Sequence, residues 1–275
     1  MMIFAYIFLG ILQGVTEPIP VSSSGHLLIF QGLFEKILPP NSIDFITLAT
    51  ITNLGSLLAI IFIYRKQIAG ILKGSLDYIT EKKTTKKDKT AFSYLLKLII
   101  ATIPAGIVGL IVTKLDLFFS LERNIRFVGC MLLVTALFLY LIKDFEGKKE
   151  KDRITVKDAI VIGLAQMVSI IPGISRSGAT IVGGMYRGLK RTAAFDFSFM
   201  LYIPISLATS LLGIKDLLDI GISAGTWIFY IIAMILAAIF TYFATFWFRK
   251  IVKEGKLIYF TIYCTILGLV VMLLG

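Results

Sequence analysis

Apolar residues run through this chain in long blocks, and polar residues collect between them. Blocks near residues 45–64, 94–113, 125–142, 197–214, 227–248 and 257–274 each approach the roughly 20 apolar residues that a helix needs to cross a bilayer, which predicts six membrane spans. Two further apolar regions are interrupted. Residues 4–34 are cut by Pro18, Pro20 and a serine run, and residues 158–188 by Pro172 and Gly173. Apolar segments of about 10–14 residues joined by such breakers predict re-entrant helical hairpins, which dip into the membrane and return. Irregular backbone survives at that depth only where protein or a polar cavity satisfies its N–H and C=O groups, so both hairpin tips should line a cavity.

The two hairpins are copies of each other. At a shift of 153 residues Gly10 meets Gly163, Gln13 meets Gln166, Val15 meets Val168, Ser22 meets Ser175, Ser24 meets Ser177 and Gly25 meets Gly178. At a shift of 152, Asp44-Phe45 meets Asp196-Phe197. Each hairpin is followed by three spans. Three is odd, so the second half must enter the membrane in the opposite sense. The expected fold is an all-α integral membrane protein with an inverted-topology repeat, each half a re-entrant helical hairpin plus three transmembrane helices. It forms one membrane domain over residues 1–275, with repeats 1–150 and 151–275, and its site should lie near the midplane between the halves.

Composition agrees, at 57% hydrophobic and 16% charged residues. The opening MMIFAYIFLG has no basic n-region and no small-residue cleavage site, so no removable signal peptide is expected. Cys130 and Cys264 both fall inside spans and imply neither a disulfide nor a metal site. Charge sets the orientation. Of 28 lysines and arginines, 22 lie in segments 65–97, 143–157, 187–191 and 249–256, all on one side of the predicted topology. The opposite loops, 35–44, 114–124 and 215–226, carry only Lys36, Lys114, Arg123 and Lys215. The positive-inside rule places the basic loops in the cytoplasm and both termini outside, in a multi-pass protein of the cell membrane. This bias explains the net charge of +11 without nucleic acid, and EKKTTKKDK (81–89) reads as a contact for anionic lipid headgroups.

The chemistry sits in the hairpin tips. The first holds Glu17, Ser22, Ser23, Ser24 and His26; the second holds Ser175, Arg176, Ser177 and Thr180. Ionisable groups at membrane depth are costly and mark function. Arginine offers a planar fork of donors matched to phosphate, and serines before a helix leave backbone N–H groups free for an anion. An ion pair between Arg176 and Glu17 would lock the hairpins together, but leaves the hydroxyls unexplained. Ser22–Ser24 read alone would be helix caps. His26, the one histidine of the chain, lies three residues after Ser23, a spacing that shares a helical face and suits a nucleophile and its base. Asp44 and Asp196 open spans and read as caps or interface groups.

QGVTEPIPVSSSGH (13–26) and PGISRSGAT (172–180) resemble the two signature motifs of the bacitracin-resistance type undecaprenyl-diphosphate phosphatases. The resemblance extends along essentially the whole chain, including LGSLLAI (54–60) and FDFSFMLYIPI (195–205). It implies a membrane enzyme that removes the terminal phosphate of a C55 polyprenyl diphosphate, confers bacitracin resistance and depends on a divalent cation, Mg²⁺ or Ca²⁺. Carried over by position, Glu17, Ser23, His26 and Arg176 are the catalytic candidates, with Glu17 also the metal ligand. Gln13, Ser22, Ser24, Asn53, Ser175, Ser177 and Thr180 are the substrate-binding candidates. Gln13 takes the uncharged option of its motif position, which leaves Glu17 as the motif's carboxylate. Asn53 stands where glutamine is expected, Asp196 where glutamate is common, and Pro18 replaces a bulky apolar residue.

The chemistry that follows has Ser23 attack the terminal phosphorus while His26 or Glu17 takes its proton, and water then hydrolyses the phosphoseryl enzyme. A phosphohistidine at His26 and direct attack by water stay open. The lipid diphosphate and the membrane are the implied partners; bacitracin competes for the substrate rather than binding the protein, and a homodimer is an allowed assembly. Two rivals stand beside this reading. A phosphatidic-acid-type lipid phosphatase needs two histidines, and this chain has one. An inverted-repeat transporter of a lipid phosphate or another anion fits the topology equally well.

Overall fold

A computed structural model describes residues 2–39, 43–81, 84–115, 124–219 and 224–275, with side chains 214–219 and 224 left aside. Parts of the three expected outward loops therefore lie outside the described residues. The described chain is helical: α1 Met2–Thr16, α2 Ser23–Ile37, α3 Phe45–Thr80, α4 Lys86–Leu115, α5 Ile125–Ile142, α6 Val156–Val168, α7 Arg176–Tyr186, α8 Arg191–Asp219, α9 Ala224–Lys253 and α10 Ile258–Leu274, with a 3₁₀ turn at Lys151–Arg153. Local chemistry sets the starts. Ser22, Asp44, Asn124, Thr155 and Ser175 each cap a helix with a side-chain oxygen that accepts a backbone N–H of its first turn.

Five helices, α3, α4, α5, α8 and α9, are long and apolar enough to cross a membrane, so this is an all-α integral membrane protein. The sixth expected span is the 17-residue α10, which lies along α5. Both interrupted regions are helical hairpins, α1–α2 and α6–α7, as the breakers predict. Two expectations about length need correcting. The span expected at 45–64 continues as one 36-residue helix to Thr80, and the span expected at 94–113 begins at Lys86. Charged residues beyond the apolar core do not end a helix when their backbone hydrogen bonds can continue in water.

The halves pack with a consistent internal correspondence. α1 lies against α9 and α6 against α4. In the first crossing a Cβ on Gly10 would come within 2.6 Å of Ala233 O; in the second a Cβ on Gly163 would come within 2.5 Å of Ala101 O. α3 runs antiparallel to α8, with Tyr64 near Phe199 at one end and Thr50 near Gly213 at the other. α5 runs antiparallel to α10, with Ile125 beside Gly275 and Gly129 beside Gly268.

Two buried clusters hold the bundle. One joins Ile19 and Val21 of the first tip to Phe195, Phe197, Phe199, Phe248 and Phe260, and the other gathers Tyr6, Leu9, Leu48 and Tyr230 around α1 and α9. Leu58, Ile107, Leu141 and Ile239 face outward, as expected of positions that meet lipid. Of the two aspartates at span starts, Asp44 is a cap, receiving N–H bonds from Ile46 and Thr47. Asp196 lies inside α8 and bridges elements, accepting from Tyr64 Oη at 3.1 Å and Arg249 at 3.1 Å.

Candidate active site

The tips meet through equivalent contacts. Cβ positions at Gly25 and Gly178 come within 3.4 Å of Gly173 Cα and 3.3 Å of Pro20 Cβ, and Pro20 and Gly173 are themselves one repeat apart. Gly173 has φ +93°, a left-handed turn that a glycine takes without strain. Across the tips, Ser177 Oγ donates to Ile19 O at 3.2 Å. Each tip is also held by the last span of the other half. Thr135 of α5 donates to Gly173 O at 3.3 Å, and Cys264 of α10 reaches Pro20 O at 3.8 Å.

Under the same shift of 153, Ser23 coincides with Arg176 and Glu17 with Ile170. The repeat has diverged at these positions, so the meeting point holds one asymmetric site rather than two. Glu17 is its centre. Its Oε2 accepts from Ser23 Oγ at 2.6 Å and from Gln13 Nε2 at 2.8 Å, and its Oε1 pairs with Arg176 NH2 across the tips. Arg176 also lays its guanidinium on the Tyr202 ring, 3.9 Å from the centroid, a cation–π contact that holds the plane of the fork. Tyr202 Oη in turn donates to Asn53 Oδ1 at 3.0 Å.

Two buried atoms here have no hydrogen-bond partner among the described residues: Arg176 NH1 and Gln13 Oε1. A buried donor left unpaired costs roughly 1–3 kcal/mol, so Arg176 NH1 is a place where an anion's oxygen is worth binding. The preceding Ser22 has φ 65°, the one non-glycine positive φ among the described residues, and its side chain caps α2 at Gly25 N, 3.2 Å away. A non-glycine residue in that region costs about 1–2 kcal/mol, and here it delivers Ser23 to Glu17 at the first turn of α2.

Gln13, Glu17, Ser23 and Arg176 thus come together. His26 does not join Ser23, although the spacing of three suggested the pair. Its Nδ1–H donates to Ser22 O at 2.7 Å, and Tyr263 Oη donates to its Nε2 at 2.7 Å, with the two rings stacked. Sharing a helical face does not fix where a ring points, and the Ser22 carbonyl and Tyr263 turn this one away. Ser22 and Ser175 are caps, each with its partner serine near, Ser24 at 3.4 Å and Ser177 at 3.3 Å. Ser24 is exposed. Thr180 Oγ1 lies 2.5 Å from Ser198 Oγ and ties α7 to α8. Asn53 reaches the site only through Tyr202.

Tyr202, Tyr263, Ser198 and Thr135 were missed from the sequence. Ser198 and Thr135 were findable as polar residues inside apolar spans, whereas tyrosines in such spans carry no distinguishing signal.

No group of three or more His, Cys, Asp or Glu side chains is placed to hold a metal among the described residues. The tip offers a divalent cation Glu17 and the unpartnered Gln13 Oε1. One carboxylate and one amide oxygen fit a hard cation of the Mg²⁺ type, which takes its other oxygens from water and bound phosphates.

A membrane bundle whose two broken hairpins bring a serine, a carboxylate and a guanidinium to one buried point has the makings of a lipid-phosphate enzyme. The chain belongs to the family described as Bacitracin resistance protein BacA, whose model matches residues 6–270. It is 41% identical over 274 residues to Undecaprenyl-diphosphatase 1 of Bacillus licheniformis, covering 99% of this chain and 98% of that protein. It is 42% identical over 268 residues to Undecaprenyl-diphosphatase of Oceanobacillus iheyensis, covering 98% and 95%. With Undecaprenyl-diphosphatase 1 of Halalkalibacterium halodurans it shares 40% over 271 residues, covering 98% and 96%.

Proposed function

We propose that this protein is an undecaprenyl-diphosphate phosphatase. It hydrolyses the terminal phosphate of a C55 polyprenyl diphosphate to give the monophosphate carrier lipid of cell-wall synthesis. The reading is carried by one observation: Ser23 Oγ donates at 2.6 Å to the carboxylate that also pairs with Arg176. Such a short bond to a carboxylate is charge-assisted and prepares the serine oxygen for attack.

Arg176 NH1 and the backbone N–H groups of the first turns of α2 and α7 receive the diphosphate. Ser23 Oγ forms a bond to the terminal phosphorus as the bond to the bridging oxygen breaks, and the serine proton passes to Glu17. The lipid monophosphate leaves, and water then cleaves the phosphoseryl group to release inorganic phosphate. Glu17 and Gln13 Oε1 would hold a divalent cation, which supplies charge neutralisation for the diphosphate when bound. Bacitracin resistance follows from restoring carrier lipid while bacitracin competes for the diphosphate form.

Purified protein given undecaprenyl diphosphate should release one phosphate per lipid. Proteoliposomes that move the lipid diphosphate without phosphate release would make the protein a transporter instead. Lysine cannot replace Arg176 in this scheme, because a point charge lacks the planar fork and the stacking on Tyr202. Arg176→Lys should lower kcat/KM on the order of 10²-fold or more, the worth of a lost transition-state donor. Activity close to wild type in a folded Arg176→Lys protein would reduce the residue to a clamp between hairpins.

The same proposal includes the inverted orientation of the halves in the cell membrane, with the basic segments in the cytoplasm and both termini outside. It is supported by the charge bias and by the antiparallel pairing of α3 with α8 and of α5 with α10. An impermeant thiol reagent added to intact cells should label Lys36→Cys, and should label Thr84→Cys and Lys148→Cys only after permeabilisation. The reverse pattern would invert the protein.

A further inference from the structure

Away from the hairpin tips, α3, α4 and the 3₁₀ turn line a cavity of about 690 Å³ that opens to the surface. Its walls carry Lys86, Lys87, Lys97 and Lys151 against the carboxylates of Glu150 and Asp152. Glu150 is already paired with Lys190, which leaves the lysines in clear excess. Deeper in, the Tyr94 hydroxyl and the Gln67 amide lie beside each other in its wall. Tyr94 is only 5% exposed.

The charged groups on its walls are mostly cationic: four lysine ammonium groups against Asp152 and the already paired Glu150. A metal ion would find repulsion here, and an oxyanion would find partners. Lys151 adds to this, because its ammonium lies 4.9 Å over the Tyr94 ring and burial pushes it below the usual lysine range. An anion beside it offsets that desolvation. Depth also matters. The apolar run of α3 ends at Tyr64 and is followed by Arg65, Lys66 and then Gln67, and that of α4 starts just after Lys97. The cavity therefore lies within a few turns of the end of the hydrocarbon, where lipid phosphates lie.

We propose that this cavity binds a phosphate group, carried by an anionic phospholipid headgroup or as the free ion. It is separate from the tip site and does not depend on the activity assigned there.

Gly70 gives the sharpest test. It is exposed on α3 and lines the cavity, and a Cβ added there meets nothing within 4 Å. Gly70→Leu should fill the space without touching a charge or straining the helix. Lys86→Ala/Lys87→Ala should weaken binding by electrostatics, at about fivefold per lysine, or on the order of 25-fold for the pair.

Native mass spectrometry of the full-length protein would count retained dioleoylphosphatidylglycerol, with dioleoylphosphatidylcholine as the zwitterionic control. Line broadening of ³¹P resonances would report inorganic phosphate on the same samples. Retention of phosphatidylglycerol over phosphatidylcholine, lost in both variants, supports the lipid source. Broadening of phosphate reduced by both variants, with no lipid preference, supports the free ion. If Gly70→Leu binds both probes as the wild type does, or the wild type binds neither, the proposal fails. A loss in the lysine variant alone would also overturn it, by reducing the effect to diffuse surface charge.

Discussion

Ser23→Ala should abolish turnover of undecaprenyl diphosphate while leaving substrate binding nearly intact. The hydroxyl at stake lies 2.6 Å from Glu17 Oε2, on the first turn of α2. Its loss removes the attacking atom but neither Arg176 nor the backbone donors that receive the phosphates, so KM should move little while kcat collapses. Rapid quenching of the wild-type reaction with terminally labelled lipid should leave acid-stable, alkali-labile label on the protein, as a phosphoserine would. Ser23→Ala should carry none. Acid-labile label that disappears in His26→Ala would assign the nucleophile to histidine. Absence of any covalent label would favour direct attack by water, with Ser23 as a hydrogen-bond donor.

Glu17→Gln should slow the reaction by roughly 10²–10⁴-fold, the usual worth of a general base. Glutamine keeps the size and still accepts one bond, but it cannot take the serine proton. It also leaves Arg176 without its anion. Breaking a buried ion pair costs about 3–5 kcal/mol, and less here because the Arg176 side chain is 21% exposed while that of Glu17 is 8% exposed. Two readouts separate these effects. A single-turnover rate measures the lost base, and thermal unfolding in detergent measures the lost pair. Loss of stability with a chemical step within tenfold of wild type would make Glu17 a clamp and pass the base role to another group. His26→Ala should cost less than Glu17→Gln, because His26 faces Ser22 O and Tyr263 rather than the serine hydroxyl.

Much of this was legible in the chain because a membrane limits the alternatives. Apolar runs such as 125–142 can satisfy their backbone in lipid only as helices, so the span and the helix α5 coincide. Pro18, Pro20, Pro172 and Gly173 interrupt that solution, so the hairpins and their tips were readable from the breakers. The repeat was readable too, since Ser22 and Ser175 hold the same capping role 153 residues apart. The ion pair of Arg176 with Glu17 was foreseen only as the rival to a phosphate-holding arginine, and the structure contains it, with NH1 of the same guanidinium left unpaired.

Side-chain direction was not legible. Ser23 and His26 share a face, yet Ser23 turns to Glu17, six residues back, and His26 turns to Tyr263, 237 residues away. Tyr202 beneath Arg176, Ser198 beside Thr180, and Thr135 under Gly173 belong to helices whose register against the tips no local pattern specifies. The basic cavity depends on three separate segments meeting. By itself the sequence determined the helices, the two broken hairpins and the residue types at their tips, because backbone hydrogen bonding in lipid and the chemistry of phosphate leave few choices. Only the tertiary structure decided which hydroxyl meets the carboxylate and which guanidinium nitrogen stays free, because those depend on packing between helices far apart in the chain.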